Sequence, residues 1–315
     1  MGKERSLKQY AGITARGVMM GAADAVPGVS GGTIAFMTGI YEELIFSLKQ
    51  CGPGAVKILF SQGLKSAWQY INGTFLVALF GGVILSLLSI SRLIIFLLDT
   101  YPNLLWAFFF GLILAGVWSV LRHVEKWTLS VIGFFVVGVI SAYWVTTISP
   151  TSIESTPLIV FLSGMIAICA MILPGISGSF ILLLLGMYGP MMLAVKEFQI
   201  FTLSYFATGC IIGLLSFSHV LSWMFKHHKT LTLALLGGFM LGSLNKVWPW
   251  KITLETVIDR HGKIIPLIQD NVLPHTFEAN TQQPAYLAYS LLLILLGIIM
   301  VILLERLGNK APPQT

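Results

Sequence analysis

Two short stretches of this chain combine the residue types that can hold an anion away from bulk water. Pro27-Gly28-Val29-Ser30-Gly31-Gly32-Thr33 aligns without a gap with Pro174-Gly175-Ile176-Ser177-Gly178-Ser179-Phe180. The match continues through Ile34 with Ile181, Gly39 with Gly186 and Tyr41 with Tyr188. In each stretch a proline ends one helix, glycine frees the backbone, and a second helix begins just beyond. A helix start offers unpaired N–H groups and a partial positive charge, which suit an oxyanion. Ser30, Thr33, Ser177 and Ser179 add hydroxyls, and Gly31 and Gly32 let a ligand approach the main chain closely. The candidate binding set is therefore Pro27, Gly28, Ser30, Gly31, Gly32 and Thr33 in one copy, with Pro174, Gly175, Ser177, Gly178 and Ser179 in the other. The plainer alternative is that glycine and serine permit close helix packing and proline only kinks the chain.

Charged residues near these stretches are candidates for a second role, because a charge at membrane depth costs about 2.5–3.5 kcal/mol on insertion scales. Asp24 precedes Pro27 by three residues and has Met171 as its repeat partner, which suits a coupling proton or cation, or a cap or partner for Arg16. Glu42 and Glu43 follow Tyr41 and could line the entrance as further coupling-ion candidates, or simply snorkel inward. Arg92 and Lys246 are candidate phosphate countercharges. The rival reading places Arg92 at an interface and treats Trp248 and Trp250, beside Lys246 and Lys251, as interfacial anchors. His219 reads as a packed or hydrogen-bonded helix residue.

The elements that position these residues follow from composition. Of 315 residues, 56% are hydrophobic and only 10% charged, against about 25% charged in a soluble domain, and the mean hydropathy is +0.85. That excludes a soluble multidomain enzyme. The net charge of +6 is no nucleic-acid footprint, and none is expected as a partner. Three scattered cysteines, Cys51, Cys169 and Cys210, suggest neither a disulfide framework nor a metal site. No nucleotide loop or haem motif implies a cofactor. The polar start, Met1–Tyr10, does not resemble a cleaved signal.

A spanning helix needs roughly 20 apolar residues. Six stretches qualify: 74–98, 104–121, 129–148, 203–225, 231–247 (short) and 286–304. The shorter apolar pairs at 12–48 and 158–188, each interrupted by its Pro-Gly element, read as two half-helices forming a re-entrant hairpin. Residues 50–72 suit an interfacial helix, and 249–284 is long enough for an outer cap. FFGLILAG at 109–116 is echoed by LGGFMLGS at 236–243. The expected fold is thus an all-α polytopic membrane protein of two inverted repeats, 1–148 and 149–315, each a hairpin followed by three transmembrane helices. With both termini cytoplasmic, this arrangement puts Lys49, Lys57, Lys65, Arg122, Lys126, Lys226 and Lys229 inside, as the positive-inside rule prefers. Asp99, Glu154, Glu197, Glu255, Asp259, Asp270 and Glu278 then lie outside.

At these motifs the chain resembles the bacterial polyprenyl-phosphate transporter family, PopT, formerly a family of unknown function. The likeness is carried by GAADAVPGVSGGTIAFMTGIYE (21–42), ICAMILPGISGSFILLLLGMY (168–188) and GFMLGSLNKVWPWK (238–251). With the intervening helices it covers nearly the whole chain. The resemblance implies a multi-pass protein of the bacterial cytoplasmic membrane. It also implies translocation of undecaprenyl phosphate from the outer to the inner leaflet, recycling the lipid carrier of peptidoglycan and other envelope glycans. Composition and spacing by themselves point only to a membrane transporter with an anion site.

The task is physically coherent: the protein shelters the phosphate while the polyprenyl tail stays among membrane lipids. Inward movement of an anion opposes an inside-negative potential by about 2.3 kcal/mol per charge per 100 mV, so coupling to a proton or sodium is expected. Two alternatives stand beside this reading. One is an ion-coupled carrier of a small soluble anion. The other is a membrane lipid pyrophosphate phosphatase, but the arginine of the PG-x-S-R-S element of those enzymes is replaced here by Gly31 and Gly178. The KxxxxxxRP and SGH elements of acid-phosphatase-type enzymes are also absent, so no enzyme activity is expected.

Overall fold

The structure, a computed structural model, describes residues 5–26, 29–148, 150, 153–258 and 264–308. The first half runs α1 (Leu7–Asp24), α2 (Gly31–Met37), α3 (Tyr41–Gln50), α4 (Pro53–Tyr70), α5 (Gly73–Thr100), α6 (Pro102–Leu121) and α7 (Leu129–Thr147). The second runs α8 (Pro157–Ile172), α9 (Gly178–Leu184), α10 (Tyr188–Lys196), α11 (Ile200–His227) and α12 (Lys229–Ser243). It continues through β1 (Lys251–Ile258), β2 (Ile264–Asn271), α13 (Pro274–Thr281) and α14 (Leu287–Gly308).

Local chemistry sets many of the boundaries. Ser6 and Gln9 form a reciprocal capping box at α1, and Thr128 and Thr156 cap α7 and α8. Proline opens α4, α6, α8 and α13 at the start of each helix, where its missing N–H has no intrahelical role. Among the described residues, four helices, α5, α6, α7 and α11, are long and apolar enough to cross a bilayer, and the bent pair α9–α10 adds a fifth span or a re-entrant loop. The chain is therefore a helical, multi-pass membrane protein. Buried residues crowd α6, α2 and α12 (among them Leu105, Phe109, Ile34 and Leu236), whereas α5, α7 and α11 present large exposed apolar side chains such as Ile84, Val137 and Ile211. Those outward faces match a hydrocarbon environment.

The helices pack in pairs that recur between the halves. α1 lies on α5 as α8 lies on α11, and α6 lies on α14 as α12 lies on α7. Each pair closes on glycines placed so that a Cβ would strike the partner's main chain: Gly17 and Gly82, Gly164 and Gly209, Gly111 and Gly297, Gly238 and Gly138. Small residues let apolar helices touch backbone to backbone, which is how they associate where water supplies no drive. Gly111 and Gly238 belong to the echoed octapeptides 109–116 and 236–243.

Three features differ from the sequence expectation. The second limb of each hairpin is itself broken: α2 bends into α3 at Gly39 (φ +73°) and α9 into α10 at Gly186 (φ +67°), with 109° between α9 and α10. Both glycines occupy the left-handed region that a Cβ disfavours. Next, α12 stops at Ser243 after 15 residues, about 22 Å at helical rise, so 231–247 is not one full span. Finally, the outer segment holds an antiparallel β1–β2 hairpin with a bulge around Glu255, followed by α13. The alternation in Lys251–Ile258 carries that strand signal, masked in a chain dominated by helical apolar runs. Residues 53–70 do form a helix, α4, bent at Gly63.

Candidate functional site

The two Pro-Gly breaks lie against each other and bond to each other. Where α8 ends, its last carbonyls lose their helical partners, and the first half supplies replacements. Ser30 Oγ donates towards Met171 O and Leu173 O, at 3.1 and 3.4 Å. The buried Tyr41 hydroxyl donates to Ile172 O at 3.1 Å. Thr33 Oγ1 accepts from the Gly175 N–H at 2.8 Å. Broken backbone at membrane depth is tolerated only when its polar groups are satisfied inside the protein, and here each break depends on the other. Gly32 packs against the Ile172 carbonyl so closely that a Cβ would lie 2.7 Å from it.

The two breaks are not chemically equivalent. At the first, Ser30 Oγ also accepts from the Gly32 N–H (3.1 Å), and Asp24 Oδ1 accepts from the Gly31 N–H at 2.6 Å. The start of α2 is thus already answered by the protein's own carboxylate. At the second break Met171 replaces the acid, and α9 has no side-chain cap. Ser177 and Ser179 hydroxyls face each other at 2.8 Å, and Ser179 is exposed. One break is closed by internal bonds, whereas the other pairs the buried Ser177 hydroxyl with that of the exposed Ser179. Moreover α2 and α9 have only seven residues each, which leaves little helix dipole at either start.

A cation near the second break comes from the loop after α12. Gly175 takes φ +93° and sits against Ser243, whose Oγ would lie 2.6 Å from any Cβ there. Three residues further on, the Lys246 ammonium stands 4.3 Å from the centre of the Phe180 ring on α9. Among the described residues no hydrogen-bond acceptor or carboxylate engages it. Beyond it, Lys251 Nζ donates to Lys246 O at 2.5 Å and lies 3.8 Å from the Trp106 ring centre. On the far side of α2, an apolar cavity of about 430 Å³ opens between α1, α5, α6 and α14, lined by Ala23, Ile34, Ile94, Leu105, Phe109 and Leu293 among others.

The remaining sequence candidates are placed elsewhere. Pro27 and Gly28 lie outside the described residues, while Pro174 and Gly178 are buried in the second break. Asp24 caps Gly31 and makes no ion pair with Arg16. Glu43 receives both Arg5 guanidinium nitrogens at 2.8 Å and the Asn72 amide at 2.7 Å; that pairing raises the Arg5 pKa further. Glu42 pairs with Lys229 at 2.7 Å. Both glutamates thus tie α3 to neighbouring segments instead of pointing at the breaks. Arg92 is exposed on α5, without a hydrogen bond or ion pair to either break. His219 Nδ1 faces Leu215 O within its own helix. Tyr41 and Lys251 belong to the site although sequence reasoning gave neither a role there; the repeated Gly-x-Tyr and the paired lysines of NKVWPWK were the available signals.

Comparison with known proteins follows the same outline. Residues 20–265 match the family described as undecaprenyl phosphate translocase-like. A polyprenyl-phosphate transporter of Vibrio cholerae is 49% identical over 301 residues, covering 96% of this chain and 98% of its own. Another polyprenyl-phosphate transporter, from Staphylococcus aureus, is 34% identical over 255 residues, covering 74% of this chain and 84% of its own. These relatives are named as transporters, in agreement with the reading of a non-enzyme. No solved structure matches the chain. With its broken-helix motifs, its membrane-spanning helices and nearly its full length shared with such relatives, the chain belongs to the undecaprenyl phosphate translocase-like family.

Proposed function

We propose that this protein carries undecaprenyl phosphate from the outer to the inner leaflet of a bacterial cytoplasmic membrane, driven by a proton or sodium gradient. The observation that carries this reading is the Lys246 ammonium over Phe180, engaged by no acceptor or carboxylate among the described residues, beside a break whose Ser177 and Ser179 hydroxyls bond each other. A phosphate placed there would gain a cation and two hydroxyl donors while leaving the surrounding lipid. The apolar cavity beside Ala23 and Ile34 offers the polyprenyl tail a path among the helices.

The bonds between the breaks suggest how access alternates. Among the described residues, Ser30, Thr33 and Tyr41 join the two breaks through four hydrogen bonds, to Met171, Leu173, Gly175 and Ile172, so a headgroup can substitute for some of them as it passes. Asp24 is the proposed coupling site. A carboxylate bonded to Gly31 closes the first break, and a proton or sodium on Asp24 weakens that bond. The inverted-repeat arrangement, with divisions at 1–148 and 149–315, is proposed as the frame in which one unit rocks against the other.

The experiment uses purified protein in liposomes loaded with undecaprenyl phosphate and an impermeant phosphate-binding probe outside. Loss of the outer pool that accelerates under an imposed proton or sodium gradient supports the reading. Release of inorganic phosphate, or no movement of the lipid under any gradient, defeats it.

A further inference from the structure

We infer that Lys251 and Lys246 together form a headgroup seat that selects a dianionic phosphate monoester over the phosphodiester headgroups of ordinary phospholipids. The inference rests on the lipid-phosphate reading and goes beyond it by assigning Lys251 and the basis of selectivity.

Lysines five residues apart in a surface loop normally diverge into water, whereas these two are partly buried and held together. Lys251 Nζ reaches back to the main-chain carbonyl of Lys246 at 2.5 Å and lies over Trp106; Lys246 lies over Phe180. An aromatic face holds a cation in place without neutralising it. No carboxylate among the described residues pairs with either one, although Arg5, Arg122 and Lys229 each have a glutamate partner. Two neighbouring ammonium groups in a poorly hydrated place either give up a proton or take up an anion, and an anion of matching charge keeps both protonated.

The segment between them is rigidly clamped. Trp248 Nε1 donates to Val272 O at 2.8 Å and Trp250 Nε1 to Ala285 O at 2.9 Å. The Asn271 amide bonds both Asn245 O and Asn245 Oδ1, at 2.7 and 2.8 Å. Bonds to Asn271 of β2 and to the Val272 and Ala285 carbonyls beyond it thus hold the main chain between the two lysines in place, the preorganisation that a selective site needs.

Charge then discriminates. A phosphate monoester has a second pKa near 6 and carries about −1.5 to −2 at pH 7, while a diester carries a single negative charge. One ammonium would serve both; a second, uncompensated one rewards only the extra charge of the monoester. The bulk phospholipid that surrounds the protein is thereby kept out of the seat.

The test measures binding in nanodiscs of phosphatidylcholine doped with undecaprenyl phosphate, phosphatidic acid (a monoester on a different tail) or phosphatidylglycerol (a diester). The expected wild-type result is binding of both monoesters and at least tenfold weaker binding of phosphatidylglycerol. Lys251→Gln should lose at least tenfold in affinity for undecaprenyl phosphate and fall to the diester level, while Lys251→Arg should recover most of the loss. Circular dichroism and elution volume establish that both variants fold, and Lys246→Gln provides a second route to the same loss of selectivity. A folded Lys251→Gln protein with wild-type selectivity overturns this inference and leaves the lipid-phosphate reading standing. If wild-type protein binds neither monoester, both fall together.

Discussion

At the scale of single residues, the breaks show how a polar main chain survives inside an apolar protein. Thr33 Oγ1 is the acceptor for the Gly175 N–H, and Thr33 is wholly buried. Thr33→Val keeps the shape and removes the acceptor, leaving a buried N–H unanswered at a cost of about 1–3 kcal/mol. The expected outcome is a lower melting temperature in detergent and slower lipid movement in liposomes. Ser86 is the opposite case: its hydroxyl is buried and has no hydrogen-bond partner among the described residues. Ser86→Ala should leave melting temperature and transport unchanged or raise stability slightly, which a thermal melt beside the liposome assay will decide. One hydroxyl is bonded across the two units and the other is not, and only the structure separates them.

At the scale of elements, the helix pairs are set by where glycine allows contact. A Cβ at Gly82 would collide with the main chain of α1 at Thr14, whereas at Gly81, one residue earlier, it would meet nothing within 4 Å. Gly82→Leu should force α1 from α5, with a cost of about 1–3 kcal/mol or more as an overpacked contact. Gly81→Leu should be tolerated on an open face. Yield of monodisperse protein from membranes distinguishes them, and equal behaviour would show that α1 and α5 are not closed on this contact. The hairpin limbs have an analogous determinant in the ion pair of Arg5 with Glu43, reinforced by Asn72. Glu43→Gln should lower stability by about 1 kcal/mol, an effect that shrinks in high salt, while the lipid affinity at Lys246 stays as in the wild type.

At the scale of the whole molecule, recurrent pairing of α1 on α5 with α8 on α11, and of α6 on α14 with α12 on α7, makes an inverted arrangement in the bilayer the natural expectation. In a protein whose Cys51, Cys169 and Cys210 are first replaced by serine, cysteines at Lys57 and Lys226 should react with an impermeant maleimide only from the cytoplasmic side. Cysteines at Glu154 and Glu278 should react only from outside. Labelling of Lys57 and Glu154 positions from the same side would exclude the inverted topology. The two halves also differ at the breaks: Asp24 closes the first, Met171 takes its place at the second, and Lys246 stands beside the latter. On the proposed function, an exact two-fold copy would hold a headgroup equally at both breaks, and the asymmetry would give it one resting place.

The amino-acid sequence by itself determined the helical membrane class, most of the long helices to within a few residues, and the pair of related Pro-Gly breaks. It could do so because bilayer thickness, helix rise and proline chemistry act locally along the chain. Only the tertiary structure decided what each polar group in the breaks does. Ser30 reaches Met171 and Leu173, Thr33 reaches Gly175, and Tyr41 reaches Ile172, all across more than 130 residues of sequence. The bends at Gly39 and Gly186 were present as repeated letters, but a glycine in a helix does not announce a left-handed backbone until packing demands it. Lys251 likewise reads as an interfacial charge until the β-hairpin folds it over Trp106 and against the carbonyl of Lys246. Hydrogen bonds and charge confinement at this site depend on which segments meet in space, and that is a property of the packed helices rather than of any one stretch of the chain.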